Sequence, residues 1–465
     1  MAERLYDRFE LGLDVRQGKT VSDANRLRTL KNAHPTTGRY LRKRPCLKFI
    51  AQLEAGTKGL KGSVGKLNTF YESGSITHAN SLFSARKVAH PTTTQLVTKA
   101  HYCDVFLGYI YCSIEYADGS VWHHYLDGSS PTHVADANCP HSKSVVKAVQ
   151  SLFGPKGENV RFCATDDARD WTTASNAGFL PVGLQAEGTT EPTGVATRKE
   201  QLAVFFVDGV QIWTIDPDPA KMALATRVGG VGSRFPKTAK LVSGDLFFLS
   251  DYGFKSITVT EFETNLRDID IGSPIDDLIR NQLSASDDPL AVYYQANGQY
   301  LVIFPTYAWC FTFSRSGKLA GWAQWTFPFT MDDATELNAK VYMRSGDNVY
   351  ELDTLTYKDG DSSIPLVEIL MPYIDMALPG RRKMFLGFDF IGKGTAKLRF
   401  RLDPRKGKEL VMTDWIEVSG DDTREGPQYP LVAATVSLAP EIHHQSNEEF
   451  ELHGLNFYYE DLGPT

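Results

Sequence analysis

The sequence predicts an all-β protein: an irregular β-propeller-like domain followed by a C-terminal β-sandwich, with few short helices. Three observations lead there. Aromatic residues are abundant, with 20 Tyr, 26 Phe and 7 Trp among 465 residues, and such side chains suit a pleated, half-buried surface. Short apolar runs end repeatedly in pairs such as Asp118-Gly119, Asp208-Gly209 and Asn297-Gly298, which are hairpin turn signals. Long helical periods are scarce. A pair of β-sandwiches is the rival architecture, because antiparallel hairpins build both. The irregular spacing of the hairpins lacks the strict repeat of a WD40 array but still reads as degenerate blades.

Size and charge set bounds. At about 150 residues per domain the length points to two or three domains, and a hydrophobic share of 42% with 23% charged residues is that of a chain that buries a core. The division expected is a propeller-like domain over residues 1–355, with the N-terminal strand closing it, a linker at 356–365 and a sandwich at 366–465. The net charge of -7 hides an asymmetry: residues 1–66 carry an excess of roughly nine positive charges, so the rest is acidic. A wholly basic nucleic-acid binder is thereby excluded. Six scattered cysteines without a C-x-x-C pair suggest neither a zinc site nor a disulfide framework. No apolar leader opens the chain and no run of about 18 apolar residues occurs, so neither a secretory signal nor a membrane span is expected.

In order along the chain, Leu5, Phe9, Leu11, Leu13 and Val15 occupy odd positions and predict a half-buried strand over Leu5–Val15. Ser22 or Asp23 caps a short helix or turn running through Leu27, Leu30 and Ala33. Then comes a dense cationic run, Arg39, Arg42, Lys43 and Arg44, closed by Pro45, which removes a donor and holds Arg44 extended, so a strand starts only after it. Taken alone, that run is a solvated loop or a patch for phosphate or an acidic protein surface. The stretch Glu54–Gly65 alternates glycine with lysine, Lys58 and Lys61 among them. It lacks the strand–loop–helix context and Gly-Lys-Ser/Thr ending of a P-loop, and so predicts an exposed flexible loop.

Hairpins follow: Asp104–Tyr116 with Val121–Leu126, Leu202–Val207 with Val210–Ile215, Asp245–Ser250 with Phe254–Val259, a group over Ala291–Tyr294, Tyr300–Phe304, Trp309–Ser314 and Gly321–Phe327, and Lys340–Arg344 with Asn348–Leu352. Val145–Phe153 and Ile275–Leu283 are the helices expected, the second with Ser273 as cap and Pro274 in the first turn. Asp353–Pro365 reads as a linker. Beyond it, Lys383–Phe390, Ala396–Leu402, Trp415–Val418, Ala433–Leu438 and Phe450–Tyr459 supply sandwich strands.

Catalytic patterns are thin. Adjacent histidines, His123-His124 and His443-His444, point to opposite faces of a strand and cannot share one ion by themselves. Asp166, Asp167 and Asp170 before Trp171 lack the glycine and spacing of a calcium loop or Asp-box. No G-x-S-x-G or H-E-x-x-H occurs. Carboxylates for glycoside hydrolysis are available at Asp251, Glu261, Glu263, Asp268 and Asp270, but their separation is not a sequence property. The expectation is no enzyme, with no catalytic residues, cofactor or metal.

An N-terminal strand, a basic Arg-Pro entry, irregular hairpins and a C-terminal sandwich together resemble the tail nozzle proteins of short-tailed bacteriophages, also described as tail hub or packaged-DNA stabilisation proteins. The resemblance is carried by Phe9–Arg16, Asn32-Ala33, Gly38–Pro45 with Cys46 where glycine is usual, Phe247–Gly253, Ile271–Asp276 and the Trp309–Trp325 segment with Phe313-Ser314-Arg315 and Gly321-Trp322. It covers most of the chain, and its weight lies in the order of short motifs. It implies a virion protein in the tail: a ring of six identical subunits below the portal and its adaptor, meeting a tail fibre or tailspike, retaining packaged double-stranded DNA and conducting it non-specifically at ejection. An acidic lumen would let the phosphate backbone slide, and Arg39, Arg42, Lys43, Arg44, Lys58 and Lys61 are the interface residues expected. The alternatives are a glycan-degrading or host-surface-binding propeller and a fibre-docking adaptor.

Overall fold

The computed structural model describes the chain except residues 21, 128–130, 174–175, 259–270, 315–319, 403–410, 421–427 and 465. Its hairpins assemble into a β-propeller. Six sheets of three or four strands stand free. In chain order, their first strands are Lys58–Ser63, Val97–Phe106, Val146–Ala148, Gly194–Arg198, Lys240–Val242 and Asp333–Leu337. A further blade, Leu290–Tyr294, Gln299–Ile303, Tyr307–Phe313 and Ala320–Thr326, is an antiparallel meander that continues into the sheet of the C-terminal region. The first strands of all these sheets line one central cavity of about 320 Å³. The ring is closed by Cys46–Gln52, which pairs antiparallel with Asn348–Asp353 as the outer strand of the last blade. The residues before and after the circuit are thereby tied into one sheet.

The C-terminal region is built on one strand, Arg381–Leu402, which bends from one sheet into another. Its first part pairs with Glu451–Pro464 and Tyr429–Thr435, and its second part with Leu438–His444 and Ile416–Gly420. Phenylalanines fill the space between: Phe388 meets Phe400 at 5.1 Å, and Phe400 meets Phe457 at 5.8 Å.

Several elements differ from the sequence expectation. The N-terminal strand is Ala2–Tyr6, and it pairs with Glu451–Pro464 rather than closing the propeller. Leu5–Val15 is not one strand: pairing stops at Tyr6, and further on Gly12, at φ +58, turns against Trp322, whose carbonyl oxygen a Cβ on Gly12 would meet at 2.7 Å. Of the short helix or turn expected over residues 22–33, the turn forms, and the strand Thr29–Lys31 follows it. Val145–Phe153 is a hairpin, Val146–Ala148 with Ser151–Lys156, turned at Val149 and Gln150, both at positive φ. Its short apolar run fits either period, and pairing across the blade decided it. Asp104–Tyr116 is interrupted by a turn at Leu107-Gly108, both at positive φ. The helix Asp276–Gln282 exists, but Ile275 is its N-cap, while the Ser273 hydroxyl accepts from Arg16 at 3.1 Å.

The lysine–glycine stretch at 54–65 is the largest departure. It contains Lys58–Ser63, an inner blade strand with Leu60 fully buried. Its glycines serve close approach: a Cβ on Gly59 would lie 2.7 Å from Ala100 of the next blade, and one on Gly62 would lie 2.2 Å from the Glu336 carbonyl oxygen of the preceding one.

Candidate functional site

The cationic run crosses from the C-terminal sheet to the propeller. Leu41–Lys43 pairs with Ala33–Pro35 and with Glu451-Leu452 in the C-terminal sheet, and Cys46–Gln52 belongs to the propeller. Arg44 and Pro45 are the crossing point. Arg44 is fully buried, and each of its five N–H donors has an acceptor: Nε donates to Asn32 Oδ1 at 3.0 Å, one terminal nitrogen to the Pro45 carbonyl at 2.9 Å and Asp359 Oδ1 at 3.0 Å, the other to the Thr326 carbonyl at 2.9 Å and to Asp359 Oδ2. Burial opposes the guanidinium charge, and the Asp359 carboxylate more than offsets it, holding the pKa above its ordinary value. Asp359 also accepts from the Leu47 backbone N–H at 2.9 Å. The segment expected to be a linker thus places a buried anion at the centre of the junction.

Asn32 completes it. At φ +53, a conformation asparagine tolerates better than most residues, its side-chain oxygen accepts from the Thr326 N–H at 2.8 Å and its amide donates to the Leu366 carbonyl at 2.8 Å. One side chain joins the blade strand Ala320–Thr326, the crossing arginine and the start of the C-terminal region.

The other resemblance segments come to the same seam. Leu13 N–H donates to the Trp322 carbonyl at 2.8 Å, Val15 N–H to the Pro274 carbonyl at 3.0 Å, and Trp322 Nε1 to the Ile271 carbonyl at 2.6 Å. The Trp322 ring stacks on Phe254 at 4.4 Å and packs against Phe311 at 4.8 Å, while Phe311 meets Phe247 at 6.0 Å. Arg315, Glu261, Glu263, Asp268 and Asp270 lie outside the described residues.

The expected interface residues therefore separate. Arg39 is exposed at a turn, and Lys58 is exposed at the start of its blade strand. Arg42 is partly exposed and pairs with Glu449 at 3.0 Å. Lys43 and Arg44, by contrast with the expectation, are both buried and cannot reach a partner. Lys43 donates to the Ser446 carbonyl at 2.7 Å, and burial lowers its ammonium pKa to about 8. Lys61 faces the central cavity and pairs with Asp333 at 2.7 Å.

That cavity is the second cluster. Lys99 and Lys237 both bind Asp288 Oδ2, at 2.5 and 2.8 Å. Lys143 and His101 share Glu115, at 2.7 and 2.8 Å, and Lys240 meets Glu336 at 2.9 Å. The signal for these residues is a lysine at or just before the first strand of several blades, a register visible only once the blades are known. Among the described residues no group of three or more His, Cys, Asp or Glu is placed to hold a metal ion. All six cysteines are buried free thiols. No described helix is long and apolar enough to cross a membrane.

No family model matches the chain, and no curated protein matches it. Among solved structures it is similar to YCF48 bound to D1 peptide, at 10% identity and TM-score 0.37, over 67% of this chain and 100% of that one. It is also similar to the extracellular domain of the putative hybrid two component system BT4673 from B. thetaiotaomicron, at 10% identity and TM-score 0.39, over 94% of this chain and 64% of that one. The AfRom2 CNH domain matches at 8% identity and TM-score 0.31, over 57% and 87%. The propeller architecture rests on the sheet topology, and these likenesses carry no function across.

Proposed function

We propose that the chain is a structural virion protein of a short tail, a nozzle subunit that forms a ring of six below the portal and its adaptor, retains packaged DNA and conducts it at ejection. The observation that carries this reading is convergence: segments separated by up to three hundred residues, which bear the resemblance, pack into the single seam around Arg44, Asn32 and Trp322. Such a seam suits a subunit that transmits force between its halves. A buried, bidentate Arg–Asp pair with every donor satisfied fixes orientation as well as position. Fibre or tailspike, adaptor and neighbouring copies would be met by exposed groups, with Arg39, Arg42 and Lys58 the cations retained for that role, while DNA would pass without sequence recognition.

Cryo-electron microscopy of particles from a culture that expresses the chain tests this. The expected result is a closed six-fold ring at the end of a short tail, with Arg42 turned toward a neighbour or adaptor. Absence of the chain from the particles, a ring lumen lined by Arg42, or turnover of capsule or lipopolysaccharide by the purified chain would overturn it.

A further inference from the structure

We propose that the central cavity of the propeller is a binding site for an acidic monosaccharide, a small sugar bearing one carboxylate or phosphate group. The inference stands independently of the tail reading. Three observations carry it.

The first is a carboxylate clamp. Lys99 and Lys237 come from different blades and close on a single carboxylate, that of Asp288, at 2.5 to 2.9 Å. Burial pushes the Asp288 carboxyl up, but the two ammonium groups pull it well below the usual carboxylate range. Asp288 is itself half exposed, with 51% of its side chain open to solvent. It occupies the clamp as an internal anion that can swing out when a stronger one arrives.

The second is surplus positive charge. Lys61, Lys99, Lys143, Lys237 and Lys240 line the cavity, whereas Asp333 and Glu336 are its lining acids, and Asp288 and Glu115 reach the lysines from beside it. Two lysines share one carboxylate. Burial, with Lys99 and Lys61 close by, lowers the Lys237 ammonium to about 8, so an added anion relieves a cost already present.

The third is a bare acceptor. His101 lines the same cavity with 1% of its side chain exposed, and its Nε2 lies 2.8 Å from Glu115. Burial holds the ring neutral, so Nε2–H donates to the carboxylate and Nδ1 is left as a lone pair, which has no partner. A buried acceptor without a donor is costly. A plain anion offers it nothing, whereas a sugar hydroxyl supplies the donor while the sugar's charged group takes the clamp. The cavity, about 320 Å³, is at the small end of ligand sites, the size for one ring rather than a chain of them.

Isothermal titration of the purified full chain with glucuronate, glucose 6-phosphate, glucose, inorganic phosphate and acetate tests the proposal. Glucuronate or glucose 6-phosphate should bind saturably and glucose should not, and the tighter of the two identifies carboxylate or phosphate as the charged group. Asp288→Asn, which removes the negative charge held in the clamp, should tighten binding about tenfold, and Lys237→Gln should weaken it by a similar factor. His101→Phe should erase the preference for glucuronate over acetate, with thermal melting confirming that each variant folds. No saturable binding of either sugar to wild type or to Asp288→Asn overturns the proposal. So does phosphate binding as tightly as both sugars, the result for an adventitious ion only, or an affinity that Asp288→Asn leaves unchanged.

Discussion

The junction and the central cavity use the same residue types to opposite ends. At the junction, one arginine has an acceptor for every N–H it carries: Asp359, Asn32 and two carbonyls surround it. In the cavity, two lysines divide one carboxylate between them and a histidine keeps a lone pair that no donor meets. Fixed backbone carbonyls and a fully buried carboxylate make the first arrangement rigid. Flexible lysine stems around a half-exposed aspartate make the second exchangeable. A cation whose donors are all matched specifies structure, and one that competes for its acceptor has affinity to spare for a ligand.

The sharpest way to break this contrast is to remove one partner of the buried pair. Arg44→Met or Asp359→Leu leaves an uncompensated buried charge, and each should lower unfolding free energy by about 3–5 kcal/mol, read from urea denaturation. The double variant should recover part of the loss, since the two costs share one interaction. If either single variant costs less than about 1 kcal/mol, the junction is no more rigid than a surface ion pair.

Asn32→Ala comes next. It removes the acceptor of Arg44 Nε and of the Thr326 N–H and imposes alanine on a positive φ, for an expected loss of about 2–4 kcal/mol. Asn32→Gly, which keeps the backbone free, should cost less by roughly 1 kcal/mol. Equal losses would show that the hydrogen bonds alone carry the position.

Histidines sharpen the comparison through pH. Burial lowers His34 to about 3, His124 to about 3 and His123 to about 4. Each folded pKa lies below the unfolded value, so the unfolded chain takes up protons first as pH falls. Their stabilisation is complete above pH 6.5 and is lost as pH drops through the folded values, to about 4 for His123 and about 3 for His34 and His124, by at most about 1.4 kcal/mol per pH unit per group. Urea midpoints at pH 7 and pH 5 should differ accordingly, and His34→Gln, beside Trp325 near the junction, should flatten the dependence by about one proton.

The smallest effects separate two lysines three residues apart. Lys61→Met strips a partner from buried Asp333, which keeps the Leu60 N–H at 2.9 Å, and should cost about 1–2 kcal/mol. Lys58→Met, at an exposed position, should stay within about 0.5 kcal/mol. Equal changes would return the stretch to the flexible loop its glycines suggest.

What the sequence by itself determined was local. Alternation and Asp-Gly or Asn-Gly pairs located most hairpins, because side-chain parity and turn dihedrals are set by neighbours in the chain: Gln201–Phe205 turning into Gly209–Thr214 is legible without any tertiary partner. Pro45 marked a strand start for the same reason. The tertiary structure alone decided the rest. Val149-Gln150 is a turn because flanking residues pair across a blade, and Gly59 and Gly62 are tight because neighbouring blades press on them. Arg44 looked like one more surface charge among four. Only Asp359, 315 residues away in sequence, makes it the buried centre of the junction, since a charge is tolerated inside a protein only where it finds a partner.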